Sequence, residues 1–129
     1  MNAFCHRPIP PKMVFMHIDQ YRFGSVSVAG ESFTTDVVIG SASVLPGWRR
    51  REGHCLNVED LDPILEQDPD ILVVGTGYYG RMEVPQGTLD FLSGRGIQCI
   101  ARRTSDAVAE FNRLQTESAR IVAALHLTC

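Results

Sequence analysis

The chain has 129 residues, enough for one domain with a real core, and its 44% hydrophobic and 21% charged residues exclude a disordered polymer. Its net charge of −3, with Lys12 the only lysine beside eleven arginines, argues against nucleic acid as the main partner. Apolar runs such as Ile71-Leu72-Val73-Val74 are too short to cross a membrane. The first residues carry no apolar stretch of signal-peptide length, so no direct membrane insertion and a cytoplasmic location are expected.

Residues 1–20 show little periodicity and several prolines and read as an N-terminal arm, extended or partly disordered, ahead of a single α/β domain over 21–129. Tyr21 to Val28 alternates apolar and polar positions, Ala29-Gly30-Glu31-Ser32 supplies a turn, and Phe33 to Ile39 alternates again, which predicts a β-hairpin. Ala42 to Trp48 suggests a further short strand interrupted by Pro46-Gly47. Asn57 caps a short helix with Glu59 and Asp60 in its first turn and Pro63 near its start. Ile71 to Val74 has the continuous apolar run of a strand buried on both faces. Pro85 opens a helix that ends near Gly94, and Ile97 to Ala101 is the next strand. Thr104 is placed to cap a helix whose apolar stripe is Ala107, Val108, Phe111 and Leu114. Arg120 to Leu127 is a last apolar strand. An N-terminal hairpin followed by a βαβαβ unit predicts an α/β fold with a mixed central sheet and helices packed on it.

Gly75-Thr76-Gly77-Tyr78-Tyr79-Gly80 matches the glycine pattern of dinucleotide-binding loops and follows a predicted strand. The next helix, however, starts only at Pro85, whereas a pyrophosphate needs helix N–H groups inside the glycine run. Arg102-Arg103 stands at the end of the next strand, where an NAD site carries an acid, and two arginines there suit the 2′-phosphate of NADP(H). The loop is also compatible with a small anion site made with Arg81, or with a sharp turn that needs no ligand. His126, in an apolar strand, reads as a core histidine. Cys5, Cys55, Cys99 and Cys129 form no C-x-x-C pair, and their neighbouring histidines lack zinc-site spacing, so no metal or other cofactor is expected. No set of catalytic side chains can be assembled.

Several stretches, taken together, resemble one family in order and spacing. They are Ile71 to Gly77, Val84-Pro85, Gly96-Ile97, Thr104 with Asp106-Ala107-Val108, Phe111-Asn112 and Leu125-His126. It is a domain family of unknown activity that includes the mitochondrial NADH dehydrogenase (complex I) assembly factors and the adipogenesis-associated Mth-domain proteins. The resemblance implies a single compact three-layer domain and small bacterial members without an assigned enzymatic activity. It carries the family's glycine loop onto Gly75, Thr76 and Gly77 and its helix onto Thr104 to Leu114, with Asn112 as the helix asparagine.

Two functional readings follow. The first is a non-enzymatic interaction or assembly factor whose partner is another protein, by resemblance a subunit of a respiratory or other membrane complex, bound through the sheet surface or through Arg49, Arg50 and Arg51. The second is a binder of a small molecule or anion, NADP(H) among the candidates, with Gly75, Thr76, Gly77, Arg81, Arg102, Arg103, Thr104 and Asn112 as its site. Exposed sheet edges make the chain a monomer or a homodimer.

Overall fold

The computed structural model describes residues 16–41, 43–115 and 120–129, so Cys5, Lys12, Ala42 and most of the expected arm lie outside the described residues. Three short strands come first: β1 (Ile18–Arg22), β2 (Ser25–Val28) and β3 (Glu31–Phe33), paired in that order as an antiparallel meander. Part of the stretch read as an arm belongs to the fold: Met16 and Ile18 are buried in the core, and β1 starts at Ile18. Tyr21 to Val28 is two strands rather than one. Gly24, at φ +80°, turns the chain between them.

β4 (Val37–Ile39) and β5 (Val44–Pro46) form a hairpin in a second, five-stranded sheet. A 3₁₀ turn (Val58–Leu61) runs into α1 (Asp62–Leu65), with Pro63 in its first turn. β6 (Ile71–Thr76), α2 (Gln86–Gly94), β7 (Gln98–Arg102), α3 (Thr104–Leu114) and β8 (Ile121–His126) complete the expected βαβαβ unit. The strand order is β5-β4-β8-β6-β7. β6 is parallel to both β7 and β8, while β4 is antiparallel to β5 and β8, so the sheet is mixed.

The two faces of this sheet make the layers. One carries α3 and the three-stranded meander over Val37, Ile39, Val73, Ile121, Ala123 and Leu125. The other carries α1, α2 and Trp48 over Val38, Leu72, Val74, Val122 and Ala124. Every residue of β8 is buried, which explains its unbroken apolar run. Burying one such Val, Leu or Ile stabilises the fold by roughly 1.5–3 kcal/mol. Among the described residues no helix is long and apolar enough to cross a membrane.

Candidate functional site

α2 crosses one face of the sheet and α3 the other, so the carboxyl ends of β6 and β7 lie where ligands commonly sit in open α/β sheets. Here the chain fills that place itself. The Gly77 amide donates to Thr104 Oγ1 (2.8 Å), and the Thr104 hydroxyl donates to the His126 carbonyl (2.6 Å). The Tyr78 amide donates to Thr128 O, and that of Arg81 to Cys129 O. The amides of Gly80 and Thr104 donate to Gly77 O, and that of Met82 to Thr76 O. A Cβ on Gly77, at φ +111°, would lie 2.5 Å from the backbone of Cys129, and one on Gly75 2.8 Å from Thr104 Oγ1. Bare Gly77 thus admits the backbone of Thr128 and Cys129, and bare Gly75 the side chains of Thr104 and Leu125. Thr104 is the first residue of α3 rather than its cap, and its hydroxyl is buried beneath the loop instead.

The other candidates divide into two places. Asn112 faces β1, where its amide pairs with both the N–H and the C=O of Ile18 (2.9 Å each), well away from the loop's hydrogen bonds. Arg81 and Arg103 stay with the loop, whereas the Arg102 guanidinium donates to Ala101 O and acts on Glu110 of α3; all three are exposed and without an ion pair among the described residues. Around them stands a group that no sequence motif announced. Phe23, Tyr78 and Tyr79 are 52%, 45% and 62% exposed. Their rings stack edge to face or tilted at 5.0–6.3 Å, and the Arg81 guanidinium lies 5.8 Å from the Tyr79 ring. Tyr78 and Tyr79 were visible as the variable positions of the glycine pattern; Phe23 comes from the β1–β2 turn.

Arg49, Arg50 and Arg51 do not act as one patch. Arg49 is exposed, and Arg51 makes a surface pair with Glu59 at 3.2 Å, a contact of little energetic weight. The Arg50 side chain is only 4% exposed and pairs with Asp36 at 2.8 Å. His126 joins that pair, with Nδ1 2.9 Å from Asp36 Oδ2. Burial works to raise the Asp36 carboxyl pKa. Hydrogen bonds from His126, the Leu127 amide and Arg50 outweigh it and hold the group below its ordinary value. Burial alone pushes the Cys99 thiol up to about 11, so it is no nucleophile at neutral pH.

Residues 18–126 match the sequence profile of a protein family of unknown function, DUF498/DUF598. The chain belongs to this family. Among solved structures, it is similar to a conserved hypothetical protein from Pyrococcus horikoshii OT3. The two are 30% identical, 88% of this chain and 100% of that chain are covered, and the TM-score is 0.75. It is also similar to a Mth938-like domain from Bordetella pertussis, at 18% identity, with 95% of this chain and 90% of that one covered and a TM-score of 0.67. A protein from Bartonella henselae described as an outer membrane protein matches at 22% identity, 91% and 98% coverage and a TM-score of 0.74. The last two likenesses concern the fold alone. The DUF498/DUF598 chain thus has the mixed-sheet architecture of its Mth938-like neighbours, as the resemblance implied.

Proposed function

We propose that this protein is an interaction factor, comparable to the complex I assembly factors that it resembles, acting from the cytoplasm on a subunit of a membrane complex. The observation that carries the reading is the exposed aromatic cluster of Phe23, Tyr78 and Tyr79 beside the glycine loop. Large aromatic side chains together in water mark a binding surface, and aromatics and arginine are the residue types that dominate interface energies. Arg81, Arg102 and Arg103 give this end of a net-negative molecule a local positive character, which suits a partner segment carrying carboxylates. The loop's hydrogen bonds to Thr128 and Cys129 hold Tyr78 and Tyr79 in place before any partner arrives.

The test compares affinity capture by the wild type with capture by a Phe23→Ser, Tyr79→Ser, Arg81→Glu variant. Because Phe23 and Tyr79 are more than half exposed, the variant is expected to melt like the wild type. A partner held by the wild type and lost by the folded variant supports the proposal. An unchanged set of partners sinks it.

These three arginines, without an ion pair among the described residues, favour one other reading, a small anionic ligand such as NADP(H), held by side chains because the amides of Gly77, Tyr78, Gly80 and Arg81 are already engaged. At 100 times its dissociation constant such a ligand adds about 2.7 kcal/mol of stability. A thermal shift with NADP(H) that disappears in Arg81→Ala would favour this reading over the interaction surface.

A further inference from the structure

At the carboxyl end of β8 three ionisable side chains meet, Arg50 and His126 buried and Asp36 partly so. Arg50 Nη2 lies 2.8 Å from Asp36 Oδ2 and 3.2 Å from His126 Nδ1, which is itself 2.9 Å from the same carboxylate oxygen. Asp36 Oδ1 accepts from the Leu127 amide at 2.8 Å. Arg50 Nε donates to Gly53 O, and its guanidinium lies 4.6 Å from the Trp48 ring centre. Asp36 Oδ2 can only accept, which places a hydrogen on Nδ1; in a neutral imidazole Nε2 then presents a lone pair.

Two atoms of this cluster, Arg50 Nη1 and His126 Nε2, are buried without a hydrogen-bond partner among the described residues. Their side chains are 4% and 7% exposed. Buried nitrogens of this kind are nearly always paired, because they have given up water. Holding the 48–55 segment against the sheet does not need them, since Asp36, the Leu127 amide and the Gly53 carbonyl already do so. Each open atom stands one carbon beyond the Nη2–Nδ1 contact, Cζ on one side and Cε1 on the other. Arg50 Nη1 is an obligate donor that favours an anionic oxygen, and His126 Nε2 favours a hydroxyl.

We propose that Arg50 and His126 form a binding site for a hydrogen-phosphate-type oxyanion, which offers an O⁻ to Arg50 Nη1 and an O–H to His126 Nε2. Asp36 offsets the charge of Arg50 and fixes both groups, so the site selects by hydrogen-bond pattern more than by net charge. The His54 ring, which packs edge-on against His126 at 5.7 Å and is itself exposed, covers the site. It is the side chain that must move to admit the ligand.

The experiment is a titration of the whole ¹⁵N-labelled protein at constant pH and ionic strength, following the histidine ring nitrogens by NMR. Inorganic phosphate, phenyl phosphate and acetate are compared, with His17 as internal reference. The expected result is a saturable shift of the His126 Nε2 signal with phosphate and none with acetate, which lacks the hydroxyl. Near neutral pH hydrogen phosphate keeps an O–H that the phenyl phosphate dianion lacks, so a response to inorganic phosphate well above that to phenyl phosphate supports the proposed pattern, and an equal response to the two overturns it. Arg50→Lys keeps the cation but removes Nη1 and should weaken binding about tenfold. His54→Ala, an exposed change, should keep the affinity and speed exchange. A silent His126 signal in the folded wild type, or an equal response to acetate, overturns the proposal. Both of those outcomes are read on the wild type, so they hold even if Arg50→Lys fails to fold.

Discussion

Asn112 takes the place of a strand neighbour: its side chain closes both backbone groups of Ile18, and Gln115 does the same for Met16 one turn later. Ile18 is buried, so Asn112→Ala leaves its N–H and C=O without partners and should cost about 2 kcal/mol in urea unfolding. Asn112→Asp keeps the acceptor and loses the donor, and it should be no better than the alanine variant. The glycines give a matched pair at the same scale. Gly77→Ala forces a Cβ onto the Cys129 backbone at positive φ and should destabilise by at least about 2 kcal/mol. Gly87→Ala, in α2 with open space around it, should stabilise by about 0.5–1 kcal/mol. If the two alanine variants behave alike, the close approach of the C-terminal residues does not explain why Gly77 is bare.

The elements from β6 onward were legible because each is long and uniformly patterned: β6 and β8 lie between packed layers and so read as apolar runs. The expected N-terminal hairpin forms at Ala29-Gly30, between β2 and β3, but each of its arms was read as one strand where there are two, because the strands are so short. The apolar positions 21 and 23 are odd and 26 and 28 are even, a slip of one that marks the Phe23-Gly24 turn. The glycine loop was found in sequence but not its use. A glycine kept bare for a phosphate looks the same as one kept bare for Thr128 and Cys129. Thr104 links these elements, joining the loop after β6 to the end of β8 from the first residue of α3. Thr104→Val preserves shape but leaves the Gly77 N–H and the His126 C=O unpaired, and should cost about 2–4 kcal/mol in thermal or urea unfolding. Thr104→Ser keeps the hydroxyl and should stay within about 1 kcal/mol of the wild type. Equal losses in both would trace the effect to the methyl group instead.

Across the whole molecule, the buried ions lie at the carboxyl end of the central sheet, where Asp36 and His126, 90 residues apart in sequence, are brought together only by the β4–β8 pairing. No local pattern announces such a cluster, and Arg50 hides inside a run of three arginines that looks like solvated surface. The cluster also ties global stability to pH. The folded Asp36 carboxyl has its pKa held below the ordinary value, so folding favours the carboxylate. Its contribution is complete above the ordinary carboxyl pKa, near pH 4, where the unfolded chain is ionised as well. As pH falls from there, the unfolded chain takes up a proton that the folded one resists, and the contribution is lost once pH passes through the lower, folded value. Asp36→Asn breaks the pair with buried Arg50 and should cost about 3 kcal/mol at pH 7. Urea midpoints measured from pH 7 down to pH 3 should then converge, because acid removes from the wild type what the substitution has already removed. A gap as wide at pH 3 as at pH 7 would mean that the Asp36 carboxylate is not a source of the protein's acid sensitivity.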